Sequence, residues 1–162
     1  MMRNNSGFSA FEVAVAIAIV AIIAAITMPN YLKWLRGYRL RGATDNLVAD
    51  LEMAKIRAIR DNGLVAVVFS AAGYTVFLDN GVGAGGKLGD YVRNGDELLL
   101  RNRDLPAGVR FDLGSVTFLN NQTRFNGRGI PPEIMSPETI TLTNSINTKQ
   151  IIINRLGYMN VQ

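Results

Sequence analysis

Catalysis near neutral pH calls for side chains that attack, carry protons or hold metals, and this chain is short of them. Its 162 residues include no histidine and no cysteine, which removes Cys/His zinc sites, disulfides and Cys- or His-dependent catalysis. No nucleophile–base pair and no carboxylate pair stands out by spacing, so the chain is not expected to be an enzyme. "GVGAGGKL" at 81–88 fits both G-x-G-x-x-G and G-x-x-x-x-G-K, patterns that cradle phosphate at a helix start. Leu88 stands where magnesium would need Ser or Thr, and "GDYVRNGDE" beyond it is no helix, so the stretch reads as a flexible loop. Asp79, Asp90, Asp96 and Glu97 flank it with oxygens of the kind calcium takes, but at no EF-hand spacing. Solvated loop acids are the simpler reading. Asn126-Gly127-Arg128-Gly129 reads as a tight turn with Arg128 at its tip, a weak surface contact for a neighbouring subunit or DNA at most. Neither metal nor cofactor is expected.

One further carboxylate is out of place. Phe8 to Met28 runs 21 residues with a single charge, Glu12, and about 20 apolar helical residues cross a bilayer's hydrocarbon core. A charge at the centre of a span costs roughly 2.5–3.5 kcal/mol on insertion scales. Glu12 sits near one end, so tolerance at the interface is one reading and a cationic partner the other. No Lys or Arg lies within 8–29; a cut after Gly7 would create a cation, the α-amino group of Phe8. Arg3 gives the positive start of a signal peptide, yet the apolar run is too long and Thr27-Met28-Pro29 closes no cleavage site. The span is therefore expected to stay in the mature protein. Ala14, Ala16, Ala18, Ala21, Ala24 and Ala25 suit a helix that packs closely on its neighbours in lipid.

A short basic leader ending in Gly, then Phe, a small hydroxyl residue, two apolar residues, Glu and a long apolar helix resembles the class III signal of type IV pilins and pseudopilins. The resemblance implies that a membrane prepilin peptidase cuts between Gly7 and Phe8 and methylates the new terminus. It also implies that Glu12 pairs with the α-amino group of a neighbouring subunit during assembly. Pro29 matches a helix-bending proline common in these proteins, whereas Ala10 and Phe11 stand where bulkier aliphatics are usual.

Residues 30–63 continue as a helix, with Leu40, Leu47, Leu51, Ala54 and Ala58 on one stripe and Arg41, Asp45, Asp50, Arg57 and Arg60 off it. Gly37 and Gly42 weaken its first turns, and Asn62-Gly63 ends it. Coiled-coil pairing is one reading of the stripe; a head domain lying on the stem fits better, because the stripe is short and no e/g charge pattern repeats. Strands are predicted at 64–69, 74–79, 97–101, 109–113, 115–120, 123–126, 139–143 and 150–154, the first two joined by the turn Ser70-Ala71-Ala72-Gly73. The stem carries seven bases against four acids, the head nine against eight, which is no basic nucleic-acid-binding domain. "YTVFLDN", "GDELLLRNRDLPAGVRF", "RFNGRGIP" and "IIINRLGY" look like the minor pseudopilin and minor pilin branch typed GspH, FimT or FimU.

The expected fold is α+β, a long N-terminal helix packed on an antiparallel β head. Its parts are a cleaved leader 1–7, a membrane and assembly segment 8–29, a stem 30–63 and a head 64–162. The function implied is a minor subunit that starts or caps a type IV pilus or a type II secretion pseudopilus. Implied partners are the peptidase, other pilins, the bacterial inner membrane and the assembly platform, with the head in the periplasm. One alternative is a DNA-receptor pilin of natural competence, although the tail "GYMNVQ" carries no base. Another is a single-pass receptor with a β sensor domain, which leaves Glu12 unexplained. Lys33, Arg36, Arg39 and Arg41 follow the span, where the positive-inside rule would place the head in the cytoplasm.

Overall fold

The structure, a computed structural model, describes residues 9–162; Phe8 and the leader 1–7 lie outside them. Ala10–Asp61 form one helix, α1, of 52 residues. The two segments expected to meet near residue 30 are continuous in it, and Pro29, Gly37 and Gly42 interrupt nothing. Proline carries no N–H, so the carbonyl four residues before it loses its helical partner. Close by, Thr27 Oγ1 donates to Ile23 O at 2.8 Å and Asn30 Nδ2 to Ile26 O at 3.4 Å. The polar side chains around the proline thus bond their own helix. At the other end Gly63 N donates to Ala58 O at 3.1 Å and Asn62 N to Ile59 O at 3.3 Å. This is a Schellman cap, and its left-handed residue is Asn62 (φ 46°) rather than the glycine after it.

The chain divides into two compact units, one ending at Leu35 and the other running from Arg36 to Gln162. In the first, apolar residues stand exposed all round α1, among them Phe11, Ile17, Val20, Ile22, Ile26 and Met28. A helix apolar on every side needs lipid or protein around it.

In the second unit α1 buries one stripe: Leu40, Ala43, Thr44, Leu47, Asp50, Leu51, Ala54 and Ala58. Steps of three and four keep these on one face. All five predicted stripe residues are there. Asp50, expected on the solvated side, is buried as well, because Tyr74, Arg101 and Arg103 donate to its carboxylate.

Eight strands follow in two antiparallel sheets. The first sheet takes β1 (Val65–Ser70), β2 (Gly73–Leu78), β3 (Leu99–Asp104) and β5 (Gln122–Phe125), ordered β3-β2-β1-β5. The second takes β4 (Arg110–Phe111), β6 (Glu138–Thr143), β7 (Thr148–Ile153) and β8 (Met159–Val161), ordered β4-β6-β7-β8. One apolar cluster joins the stem to both sheets through Leu47 and Leu51, Val65, Val67 and Phe125, and Ile140, Leu142, Ile151 and Ile153. The aromatic corner Phe69, Phe111 and Phe118 closes one end, Phe69 meeting Phe111 edge-on at 5.3 Å.

The β1–β2 hairpin forms where expected, and Ser70 Oγ both donates to Gly73 O and accepts from Gly73 N. Two expectations fail. Residues 115–120 are no strand: Phe118 leads into a 3-10 turn at Leu119–Asn121, where Asn120 and Asn121 both take φ 55°. Left-handed asparagines cost little backbone strain and stop a strand. The strand predicted at 97–101 begins two residues later, because Glu97 is occupied in the preceding loop. The edge strand β8 was not predicted at all.

Candidate assembly site and the polar anchors of the head

At the start of α1 two polar residues answer each other. Glu12 N donates to Ser9 Oγ at 3.2 Å, and Ser9 N donates to Glu12 Oε2 at 2.9 Å. This is a reciprocal capping box, which satisfies two of the backbone donors a helix start leaves open. Its signal in the sequence is S-x-x-E, which attention to the charge alone passes over. Among the described residues nothing bonds the second carboxylate oxygen, Oε1. Glu12 shares a face with Val13, Ala16, Ile17 and Val20, so the acid borders a strip of exposed apolar and small side chains. Pro29 lies in the same helix. Gly7 and Phe8 lie outside the described residues.

Three acids are buried among the described residues, Asp50 on the stem and Asp79 and Glu97 in the head, and each has a different set of donors. Asp50 Oδ2 accepts from Tyr74 Oη at 2.7 Å and from Arg103 Nε at 2.9 Å, while Oδ1 accepts from Arg101 Nε at 3.2 Å. The carboxylate is 4% exposed, so it needs all three donors to offset lost hydration. Burial pushes the Tyr74 hydroxyl above its ordinary range, and the bonded Asp50 carboxylate pushes it further. The Asp50 carboxylate also raises Arg103. An acid on the stem thereby holds the edge strand β3 through two arginines two residues apart, which alternation places on one face.

Asp79 and Glu97 are buried almost completely and close the glycine-rich loop between β2 and β3. Asp79 Oδ1 accepts from Gly89 N at 2.8 Å and Oδ2 from Tyr91 N at 3.2 Å. Glu97 Oε1 accepts from Gly81 N at 2.8 Å and Oε2 from Asn94 N at 3.0 Å. Burial raises Asp79 above the usual aspartate range, partly countered by those two N–H bonds. Of the four acids considered for calcium, Asp79 and Glu97 thus face backbone amides, and Asp90 Oδ1 accepts from Val92 N at 2.9 Å. Among the described residues no three acids gather as a metal set, and "GVGAGGKL" opens no helix. The loop is pinned from outside too, since Arg124 donates to Gly89 O at 2.7 Å, lies over the Tyr91 ring and pairs with Glu133.

Asn126–Gly129 is the predicted turn: Asn126 Oδ1 accepts from Arg128 N at 2.9 Å, and Gly129 takes φ 72°. Arg128 is exposed and belongs to a different unit from Glu12 and Pro29.

A family profile described as type II transport protein GspH matches residues 43–157. The chain belongs to the GspH family. The match covers the buried part of the stem and nearly all the head. Among solved structures, two crystal forms of the type IV minor pilin FimU of Pseudomonas aeruginosa share the GspH-type fold of this chain. One is 15% identical with a TM-score of 0.53, covering 75% of this chain and 91% of FimU. The other is 16% identical with a TM-score of 0.54, covering 76% and 87%. At that identity the likeness concerns fold: one long N-terminal helix packed on antiparallel sheets. The sequence has no match among curated proteins. This GspH-type chain is a minor pilin or pseudopilin by family, and its exposed apolar helix is consistent with membrane anchoring.

Proposed function

We propose that this protein is a non-catalytic structural subunit that helps initiate or cap a type IV pilus or a type II secretion pseudopilus. A prepilin peptidase first cuts between Gly7 and Phe8 and methylates Phe8. The subunit waits in the bacterial inner membrane as a single-pass protein with its head in the periplasm. It then joins other pilins at the assembly platform and resides near the filament tip.

The observation that carries this reading is the state of Glu12. Its carboxylate sits at the start of an apolar, exposed stretch of helix, with Oε2 held by Ser9 and Oε1 bonded by no described residue. The capping box fixes the acid, and the α-amino group of a neighbour's Phe8 supplies the missing cation. In low dielectric such a pair is strong and an unpaired charge costly. Pairing therefore selects a subunit offset along the helix axis, and the small side chains beside Glu12 let the two helices close up.

Two of the bases that follow the span have work in the head. Arg36 Nη1 donates to Ser145 Oγ at 3.2 Å, Asn144 Nδ2 donates to Arg36 O at 2.9 Å, and Arg39 Nη1 donates to Ala107 O at 3.4 Å. Their position need not report the cytoplasmic side, which favours a periplasmic head. The competence alternative draws less support: the head carries nine bases against eight acids, whereas DNA affinity rests on phosphate-neutralising cations.

Glu12→Ala tests the reading. The variant should still be cleaved and should accumulate in the membrane, while its amount in sheared filaments falls at least tenfold. Recovery equal to wild type would refute the pairing.

A further inference from the structure

Two turns in the head are the same turn made twice. "NGRGI" (126–130) follows β5 in the first sheet, and "NRLGY" (154–158) follows β7 in the second. In the first, Asn126 Oδ1 accepts from Arg128 N and Ile130 N, Asn126 N donates to Ile130 O, and Gly129 N donates to Asn126 O. In the second, Asn154 Oδ1 accepts from Leu156 N and Tyr158 N, Asn154 N donates to Tyr158 O, and Gly157 N donates to Asn154 O. The fourth residues, Gly129 and Gly157, take φ of 72° and 74°. They also touch: a Cβ on Gly157 would lie 2.5 Å from Gly129 O. The stem locks the pair from beneath, because Ile59 and Lys55 sit against Gly129 and Lys55 Nζ donates to Gly157 O at 3.0 Å.

The stacked turns bring Arg128 and Arg155 to one open groove of about 510 Å³, floored by Ile130, Pro131, Pro132 and Leu156. Both arginines are exposed, and neither side chain bonds or pairs with another described residue. Four other head arginines are engaged: Arg93 donates to Glu97 O, Arg101 and Arg103 hold Asp50, and Arg124 holds Glu133; Arg110, on β4, is exposed and stands apart from this groove. Leu156 is 60% exposed. A rigid double turn thus holds two uncommitted guanidiniums beside an apolar floor.

We propose that this groove docks an acidic-apolar segment of a neighbouring subunit, an aliphatic side chain seated on Leu156 and Pro131 with carboxylates meeting Arg128 and Arg155. The occupant follows from charge and from the floor. Guanidinium pairs with carboxylate in a two-pronged geometry, and an aliphatic floor rewards burial of an aliphatic group. A nucleic-acid strand would bring phosphates but gain little from isoleucine, leucine and proline, and the head is close to electrically neutral. The proposal rests on the reading of this chain as a filament subunit, since that is what supplies a neighbour.

The test uses the full chain in detergent micelles and the fluorescein-labelled peptide Gly-Asp-Leu-Ile-Asp-Gly, read by anisotropy. The peptide should bind saturably and weaken with salt. Binding should drop at least tenfold when its aspartates become asparagines, and likewise in the double variant R128Q/R155Q at unchanged thermal midpoint. Leu156→Asp, which spares both arginines, should also abolish it. Absence of saturable binding, or binding retained by both variants, would overturn the proposal. So would tight binding of a single-stranded oligonucleotide or inorganic phosphate where the peptide fails. Each of those results leaves cleavage at Phe8 and the Glu12 phenotype untouched, so the two readings fail separately.

Discussion

Asp50 shows how the sign of a charge matters less than who surrounds it. Arg101 and Arg103 are 53% and 36% exposed, but the acid they hold is buried. Removing the acid lets the arginines turn to water and orphans chiefly the Tyr74 hydroxyl, so Asp50→Ala should cost about 1–3 kcal/mol. Removing both arginines strands a buried carboxylate, so R101Q/R103Q should cost more, about 3–5 kcal/mol. Urea denaturation of the two variants would reveal that order; the reverse order would mean the arginines carry no such duty. Asp79 gives a pH signature. Its folded pKa is raised above the ordinary 3.8, so the stability it contributes is complete below that value and is lost as pH rises through the folded one. Wild type should therefore gain on Asp79→Asn as the pH falls from 7 towards 4 in paired urea titrations. At this scale the sequence was only partly legible. Glu12 stood out because nothing else in its segment is charged. Asp50, Asp79 and Glu97 did not, because their donors come from residues brought near by folding.

Among the elements, α1 was the most readable, since its buried stripe is a periodic property of contiguous residues. Leu47, fully buried in that stripe, should cost about 2–5 kcal/mol on truncation to alanine. Gly37 and Gly42 lie mid-helix, where an added methyl group would meet nothing within 4 Å. Alanine at each should stabilise by about 0.5–1 kcal/mol, seen as a higher thermal midpoint. Gly157→Ala should do the opposite, from the clash with Gly129 O and the left-handed φ. The strands were legible where alternation met a turn signal, as in β1–β2. They were misread at 115–120, where "SVTFLN" alternates convincingly but Asn120 and Asn121 bend left-handed. The stretch forming β8, three residues long, is too short to announce itself; pairing with β7 makes it a strand.

The molecule as a whole joins a helix start capped by Ser9 and Glu12 to a head pinned by buried acids, one of them from the stem. That the eight strands would divide into two sheets sharing one core was not readable, because strand order and register are settled by long-range pairing. The family, by contrast, was readable in the stem and head, where the GspH match falls; the leader that also suggested it lies outside that match. The leader's cleavage carries the rest of the account: Glu12 has a use for its open oxygen only if processing makes a cation. Mass spectrometry of the N-terminal peptide from protein purified out of its native membrane tests this most directly. The mature chain is expected to begin at N-methylated Phe8, without residues 1–7. A native protein still carrying Met1 to Gly7 would contradict it.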